Sequence, residues 1–305
     1  MVVSKIRGLV TKKFNEFFYV TVFQENNQFK GVTRFLCKSR KSIYFNQQVI
    51  VVGDEVIISQ ISVQNKTAVI EAILQRKNLF HRPSIANVSD IYVIISVEEP
   101  SLNFYQVSRF LISSESLFVN VSLVLTKCDL ITLENRNQII YRFNKWGYSP
   151  ITLNGQEDSG FKSFVKDLKT NRCSILIGPS GVGKTTILNK IIPNINNSTS
   201  PVSNKIKRGK NTTRNIELFS LSQNSFIVDT PGFNIPNLNI PNNLVIHLFP
   251  ELRKQMLDKN STCKFRNCLH THEPGCILNK NFERYKFYKE LIDSSKNHYS
   301  QIQGD

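Results

Sequence analysis

The chain has 305 residues, enough for two domains of ordinary size with smaller additions beside them. Lys and Arg number 39 against 23 Asp and Glu, and the net charge of +16 favours a polyanionic partner such as a nucleic acid, although a generally basic proteome would produce the same excess. No apolar run approaches the roughly 18 residues that cross a bilayer, and the first residues lack the apolar stretch of a secretory signal, so we expect no membrane partner. We expect a monomer in a bacterial-type cytoplasm.

Residues 1–78 are predicted to form a small β-barrel. Segments that alternate apolar and polar residues, separated by Asn-rich or Gly-Asp turns, lie at 17–23, 31–37, 49–61 and 67–74. A closed barrel buries short strands of this kind economically. We expect an OB-fold that binds RNA.

Basic and aromatic residues interleave along this predicted barrel. They are Arg7, Lys12, Lys13, Phe14, Phe17, Lys30, Arg34, Phe35, Lys38, Arg40 and Lys41. On one interpretation they follow a phosphate backbone and stack bases. On the other, the rings fill the barrel and the charges are solvated. The sequence leaves both interpretations open.

A basic segment at 76–84 is predicted to link the barrel to an α/β domain at 79–240. Strands are predicted at 90–97, 121–126, 149–153, 173–177 and 225–229. Helices are predicted between and after them at 103–117, 133–145, 160–168 and 184–192. This alternation is typical of a mostly parallel sheet covered by helices.

The sequence "GPSGVGKTT" matches the phosphate-binding loop G-x-x-x-x-G-K-[ST], between a predicted strand and a predicted helix. Its residues are Gly178, Pro179, Ser180, Gly181, Val182, Gly183, Lys184, Thr185 and Thr186. The glycines let backbone N–H groups wrap the β-phosphate, Lys184 reaches the β- and γ-phosphates, and Thr185 ligates Mg²⁺. We predict a nucleotide site here.

The sequence "SFIVDTPGF" at 225–233 supplies a second part of such a site. A strand delivers Asp229, a candidate for the Mg²⁺ shell, and Gly232 can offer its backbone N–H to the γ-phosphate. The basic segment 204–219 precedes it, and there Thr212 or Thr213 could close a switch loop over Mg²⁺. A flexible loop that merely attracts RNA is the other interpretation of this segment.

The sequence "TKCD", comprising Thr126, Lys127, Cys128 and Asp129, follows an apolar run and matches the guanine-reading motif N/T-K-x-D. Asp129 can accept hydrogen bonds from guanine N1–H and the 2-amino group, while the Lys127 stem covers the base. GTP is therefore predicted rather than ATP, and an ATP-dependent kinase or transporter subunit would require Asp129 to be ignored. Thr126 replaces the commoner Asn. We find no clear serine-alanine motif to clamp the base and look for the clamp around 152–154.

Three of the six cysteines crowd into "CKFRNCLHTHEPGC". Cys263, Cys268, His270 and Cys276 form the pattern C-x4-C-x-H-x5-C, which offers a tetrahedral set for one Zn²⁺ in a core-poor segment. His272 is a competing ligand, and buried free cysteines are the other interpretation. The remaining cysteines, Cys37, Cys128 and Cys173, are predicted to be ordinary small side chains.

The carboxyl-terminal residues 241–305 are predicted to be a zinc-binding helical domain. In "NFERYKFYKELI" (281–292) five apolar or aromatic residues lie near one helical face. They are Phe282, Tyr285, Tyr288, Leu291 and Ile292. We expect this face to pack in the core.

The guanine-reading motif precedes the phosphate loop, so the usual order of GTPase motifs is circularly permuted. With a barrel before it and a cysteine cluster after it, the chain resembles the RsgA (YjeQ) family of circularly permuted GTPases, which assist late maturation of the small ribosomal subunit. The resemblance implies GTP and GDP as ligands, the small (30S) subunit and 16S-type rRNA as partners, and release of assembly factors. The zinc ligands of the family match the four cluster residues.

The expected reaction is Mg²⁺-dependent hydrolysis of GTP by in-line attack of water. Phe233 follows Gly232, where many GTPases carry a water-orienting Gln, so unassisted turnover should be slow, about 10⁻⁴ to 10⁻² per second or below. Family members usually have a histidine just before the paired threonines, and here Asn211 stands there. The resemblance makes Asn211 a candidate catalytic residue. A GTP-ordered rRNA-binding module with vestigial hydrolysis is the alternative.

Overall fold

The computed structural model describes most of the chain as two compact units. The described residues are 5–23, 32–41, 43, 49–81, 84–154, 158–192, 216–222, 224–229, 240–258 and 262–302. The first unit comprises Met1–Tyr92 and Asp158–Phe233, and the second comprises Val93–Glu157 and Asn234–Asp305. Within the described residues, no helix has both the length and the apolar character needed to cross a membrane. The domain boundaries expected at 78/79 and 240/241 stay predictions.

Five strands form a closed barrel in the first unit. They are Ile6–Phe14 (β1), Phe17–Val22 (β2), Thr33–Ser39 (β3), Glu55–Ser62 (β4) and Thr67–Ile73 (β5). β1 pairs with β2 and β4, β2 with β3, β3 in parallel with β5, and β5 with β4, so the ring closes. This arrangement confirms the predicted OB-type barrel.

The strand β1 lacks a regular alternation of apolar and polar residues, and a bulge explains why. Its side chains alternate between buried and more exposed positions as far as Val10, but Thr11 is buried as well. The register against β2 shifts between Val10 and Lys12. A bulge places an extra residue on one strand and so breaks the period of two.

The barrel interior receives only some of the aromatic residues. Phe18 and Phe35 are buried in the barrel core, where each fully buried ring contributes about 1.5–3 kcal/mol. Phe14 is 49 % exposed, and Phe17 is half-buried under the ammonium group of Lys38, 5.1 Å from the ring centre. The interpretation that the rings fill the barrel therefore holds for Phe35 and not for Phe14, and contact with bases stays a prediction.

The segment 49–61, predicted as one strand, is divided by a turn. Gly53 has a φ of +88°, a conformation that favours glycine, and β4 begins only after the buried Asp54. The Asp54 carboxylate accepts from the backbone N–H of Val51 at 2.8 Å and from the guanidinium of Arg76 at 2.6 and 2.8 Å. Through these bonds Asp54 connects the turn to Arg76, which lies 22 residues further along the chain.

The predicted linker at 76–84 has structure of its own. The short strands Leu79–His81 (β6) and Ser84–Ala86 (β7) pair in antiparallel fashion. Phe80 and Ile85 are buried where the two strands pair. Residues 79–81 and 84–86 therefore form strands where the sequence predicted a linker.

The central region alternates strands and helices as predicted. Its strands are Asp90–Ser96 (β8), Asn120–Thr126 (β9), Ile151–Thr152 (β10), Cys173–Ile177 (β11), Glu217–Ser220 (β12) and Phe226–Asp229 (β13). Its helices are Phe104–Glu115 (α1), Leu133–Lys145 (α2), Asp158–Thr170 (α3) and Lys184–Ile191 (α4). In the first unit β11 is parallel to β13, and β12 is antiparallel to β13. In the second, β10 is parallel to β9.

Polar caps begin two of these helices where the sequence pattern changes. The side chain of Asn103 accepts from the N–H of Gln106, and that of Thr132 accepts from the N–H of Asn135. Each bond satisfies an N–H that the first helical turn leaves without a partner. The observed starts of α1 and α2 therefore lie within one residue of the predicted ones.

The carboxyl-terminal helices Asn242–Val245 (α5), Pro250–Asp258 (α6) and Tyr285–Ile302 (α7) share a core. Phe249, Tyr288 and Ile292 are buried there together with Ile112 of α1. The predicted core face of the tail is confirmed, although the helix begins at Tyr285 and not near 281. The second unit thus packs the tail against a helix of the central region.

A buried arginine joins these elements of the second unit. Arg284 is 1 % exposed, donates to Glu251 through Nε at 2.8 Å and again through Nη2, and lies 4.9 Å from the Trp146 ring centre and 5.0 Å from that of Phe249. Both charges are removed from water, so each depends on the other. Arg284 therefore fixes the tail against the residues that follow α2.

Replacing Arg284 by alanine should destabilise the second unit by about 3 kcal/mol or more, because Glu251 would keep a buried charge without its cation. Urea unfolding followed by the fluorescence of Trp146, the single tryptophan, measures this directly. The control is Lys145→Ala, which removes an exposed cation 4.4 Å from the ring centre of Tyr141 and should cost about 1 kcal/mol or less. Equal losses in the two variants would contradict the prediction.

Candidate functional site

The predicted phosphate loop lies between the buried strand β11 and helix α4. Gly178, Gly181 and Gly183 have φ values of +147°, +83° and +95°. A Cβ at Gly183 would meet nothing within 4 Å, so the backbone conformation, and not lack of space, requires glycine there. The loop thus presents its backbone at the amino-terminal end of α4, where N–H groups and the helix dipole favour an anion.

Lys184 folds back over its own loop. Its ammonium donates to the carbonyl oxygen of Gly178 at 2.7 Å and also contacts that of Pro179. Burial lowers the pKa of Lys184, because the charged form loses water. A phosphate would supply a negative charge beside this half-buried cation, which fits the predicted role.

The two residues predicted to bind Mg²⁺ lie near the carboxyl ends of two parallel strands, β11 and β13. Thr185 is exposed in the first turn of α4, and Asp229 is the last residue of β13. Ile175 of β11 is paired with Val228, so the carboxyl ends of both strands lie at the same edge. The roles of Thr185 and Asp229 stay predictions. The other residues predicted for this site lie outside the described residues: Asn211, Thr212, Thr213, Gly232 and Phe233.

Two buried side chains, those of Thr126 and Cys128, anchor the predicted guanine-reading turn. The buried Thr126 donates its hydroxyl to the carbonyl of Ile95 at 3.3 Å. Cys128 is also buried, its thiol lies 3.5 Å from the carbonyl of Leu125, and burial raises its pKa to about 11. Lys127 has a φ of +57°, and Asp129 is exposed. Thr126 and Cys128 therefore anchor the turn, while Asp129 faces solvent.

The segment proposed for the base clamp lies directly beside this turn. Thr152 is paired with Leu125, and the N–H of Leu153 donates to the Leu125 carbonyl at 2.7 Å. The N–H of Cys128 in turn points to the Leu153 carbonyl at 3.5 Å. The structure thus brings 152–154 next to the predicted base reader, and the clamp itself stays a prediction.

The four predicted zinc ligands form a cluster whose ligand atoms all lie within 4.8 Å of one another. His270 Nδ1 is 3.6 Å from Cys263 Sγ, 3.5 Å from Cys268 Sγ and 3.4 Å from Cys276 Sγ. Zinc–ligand bonds of ordinary length at tetrahedral angles place N and S about 3.6 Å apart. The cluster therefore has the dimensions of a zinc site.

Burial shifts the pKa of two residues of this cluster. Burial and the neighbouring thiols of Cys263 and Cys276 raise the pKa of Cys268 to about 12, and burial lowers the pKa of His270. A bound divalent cation would reverse the first effect, because it stabilises the thiolate. His272 is exposed and is not part of the cluster among the described residues, so His270 is the histidine that fits.

A carboxylate that the spacing did not indicate shapes the metal loop. Glu273 accepts from the N–H groups of Leu269, Thr271 and His272 at 2.9 to 3.1 Å. Burial alone would raise the pKa of Glu273, but these bonds lower it to about 2. Tyr288 also donates to the Leu269 carbonyl at 2.7 Å. Helix α7 and Glu273 thus hold the backbone around His270.

Comparisons with known proteins agree with this geometry. The family model RsgA GTPase matches residues 73–239. The chain is 39 % identical over 300 residues to the small ribosomal subunit biogenesis GTPase RsgA of Prochlorococcus marinus (strain NATL2A), covering 96 % of both chains. It is 36 % identical over 274 residues to the RsgA of Parasynechococcus marenigrum (strain WH8102), covering 90 % and 91 %.

Two solved structures are also similar. One is YloQ, a circularly permuted GTPase, with a TM-score of 0.76, 25 % identity, and 97 % and 96 % of the two chains covered. The other is YjeQ from Thermotoga maritima, with a TM-score of 0.76, 26 % identity, and 96 % and 99 % covered.

The closed barrel, the permuted order of the nucleotide motifs and the Cys₃His cluster define a circularly permuted GTPase with flanking domains. Within that class, the chain belongs to the RsgA GTPase family. It is a GTP-hydrolysing enzyme. The comparisons therefore confirm the family and the fold class that the sequence indicated.

Proposed function

We propose that the chain is a ribosome-associated GTPase of the bacterial cytoplasm that binds the small (30S) subunit and its 16S-type rRNA. Its slow hydrolysis would be stimulated by that subunit, assist late maturation and accompany release of assembly factors. The observation that carries the proposal is the full-length similarity to relatives named for small ribosomal subunit biogenesis.

The residues on the outer face of the barrel support the proposal that RNA binds there. On β2 and β3 the rings of Phe17 and Tyr19 lie under cations, with Arg34 4.2 Å from the Tyr19 ring centre and Lys38 5.1 Å from that of Phe17. Arg34 and Lys38 are exposed. Rings for stacking beside cations for phosphates are typical of single-strand RNA surfaces.

The chemistry follows from the residues of the two nucleotide segments. Lys184 and the loop N–H groups bind and orient the phosphates, and Asp129 selects guanine. Thr185 and Asp229 would hold Mg²⁺, which supplies charge stabilisation when bound, while Thr213 and the N–H of Gly232 would order the switch. Asn211 could position the attacking water by a hydrogen bond, but it takes no proton at neutral pH.

The proposed metal complement is one Zn²⁺ per chain at the Cys₃His cluster and Mg²⁺ with GTP. The dimensions of the cluster support zinc, and the carboxyl-edge placement of Asp229 supports Mg²⁺. Zinc would hold the tail folded and take no part in the reaction.

Phosphate release measured with and without purified 30S subunits tests the proposal. We expect the 30S subunit to raise turnover by about tenfold or more, since supplying a missing catalytic group is worth up to about 10³ to 10⁵ in other GTPases. Large subunits at equal concentration and the Lys184→Ala variant serve as controls. Equal rates with and without 30S subunits would refute the proposal.

The alternative, a GTP-ordered rRNA-binding module with vestigial hydrolysis, is favoured by Phe233 and Asn211 in the positions of a water-orienting side chain. Family membership favours hydrolysis instead. Single-turnover cleavage of GTP on the 30S subunit separates the two, because the alternative expects nucleotide-dependent binding and no cleavage.

A further inference from the structure

A carboxylate of the central region is held by two cations of the barrel. Glu217, the first residue of β12, accepts from Lys12 of β1 at 2.5 Å and from Arg34 of β3 at 3.1 Å. Glu217 is 13 % exposed, whereas Arg34 is 42 % exposed. The three side chains carry a net charge of +1, so the cluster can still attract an anion.

The same residue lies opposite the predicted magnesium residue in the strand register. Glu217 is paired with Lys12 across β1 and β12, and with Asp229 across β12 and β13. Three neighbouring backbone positions thus connect the barrel to the strand end that bears Asp229. A change in how the barrel holds Glu217 would act on the strand beside Asp229.

One of the two cations, Arg34, also belongs to the surface proposed to meet RNA. Arg34 lies over the Tyr19 ring, and its guanidinium donates to Glu217 through Nη2. A phosphate approaching this ring would contact the same guanidinium. Phosphate and carboxylate are both acceptors that suit Arg, so they compete for it.

We propose that Lys12 and Arg34 form an exchange site, which Glu217 occupies in the free protein and an RNA phosphate occupies in the complex. RNA binding would release Glu217 and thereby couple the barrel to the strand that carries Asp229. The inference rests on the proposed function, because RNA is the polyanion and Asp229 the magnesium residue. Glu217 is a positioning residue in this scheme.

A matched carboxylate makes the idea testable. Glu71 on β5 of the same barrel forms ion pairs with Lys5 and Arg40, both at 2.8 Å. In the described strand pairing, β5 pairs with β3 and β4 and not with β12 or β13. Glu71→Gln and Glu217→Gln each remove one negative charge from a two-cation cluster. Both should raise RNA affinity through charge alone.

The experiment measures binding of a fluorescein-labelled, single-stranded RNA oligonucleotide of mixed sequence to the full chain, with GDP or a non-hydrolysable GTP analogue. We expect wild-type affinity to differ by about fivefold or more between the nucleotides, a typical coupling. Glu71→Gln should keep that ratio, and Glu217→Gln should bring it close to one. By linkage, RNA should change affinity for the GTP analogue by the same factor in each protein.

A ratio of one in the wild type, or an unchanged ratio in Glu217→Gln, would overturn the inference. A purely structural role of Glu217 would change stability without removing the nucleotide dependence. Because the assay uses neither ribosomal subunits nor hydrolysis, its failure is distinguishable from failure of 30S stimulation.

Discussion

Replacing Cys268 by alanine is expected to abolish zinc binding and unfold the tail of the second unit. A structural zinc site contributes about 10–16 kcal/mol of apparent binding free energy, which is comparable to the whole stability of a domain, about 5–15 kcal/mol. With one ligand lost, the loop around His270 would depend on hydrogen bonds such as those of Glu273 and of Tyr288 on α7. Metal analysis of the purified protein and thermal unfolding measure the two effects.

His272→Ala is the matched control for this substitution. It removes an imidazole from the same loop, two residues from the proposed ligand His270, but His272 is exposed and outside the cluster. We expect it to retain one zinc per chain and to unfold like the wild type. Loss of zinc in His272→Ala, with zinc retained in His270→Ala, would show that the wrong histidine has been assigned.

The sequence predicted those parts of the molecule in which function depends on local spacing. The helix after the phosphate loop begins at Lys184 as expected, because the glycines and the lysine act over a few consecutive residues. The same holds for strand β9, which ends at Thr126 where the guanine-reading motif begins, and for the cysteine cluster. In each case one short motif determines both the ligand-binding groups and the local course of the backbone.

Long-range partners could not be predicted in this way. Lys12 and Glu217 are separated by 205 positions, and Arg284 meets Glu251 across 33. Spacing alone also left His272 as a competitor of the predicted ligand His270. The choice depends on contacts of the loop with Glu273 and α7, which become visible only when those elements are packed together.

The anchoring role of Thr126 is a further example. Asn is commoner at this position, and the sequence did not show what a threonine would do. Its hydroxyl donates to the Ile95 carbonyl and so ties the end of β9 to β8 within the second unit. The hydrogen bond is made to backbone of another strand, which a four-residue motif does not reveal.

Asp129→Asn should weaken GTP binding and favour xanthosine triphosphate. The carboxylate accepts from guanine N1–H and the 2-amino group, and each bond to a charged group is worth about 1.5–3 kcal/mol, so the loss should be about 10² to 10⁴-fold. Xanthine carries an oxygen in place of the 2-amino group, and the amide of the introduced asparagine can donate to it. Competition of the two nucleotides for binding, and their hydrolysis rates, measure the change in preference.

The fold should survive this substitution, because Thr126 and Cys128 anchor the turn while the side chain of Asp129 is exposed. Glu134→Gln, an exposed carboxylate in the first turn of α2, is the control and should leave the preference for GTP unchanged. A variant that binds both nucleotides weakly would indicate a disturbed turn, whereas an unchanged preference for GTP would show that another residue reads the base. Only an inverted preference assigns the selection of guanine to Asp129, since loss of affinity alone does not distinguish contact with the base from loss of structure.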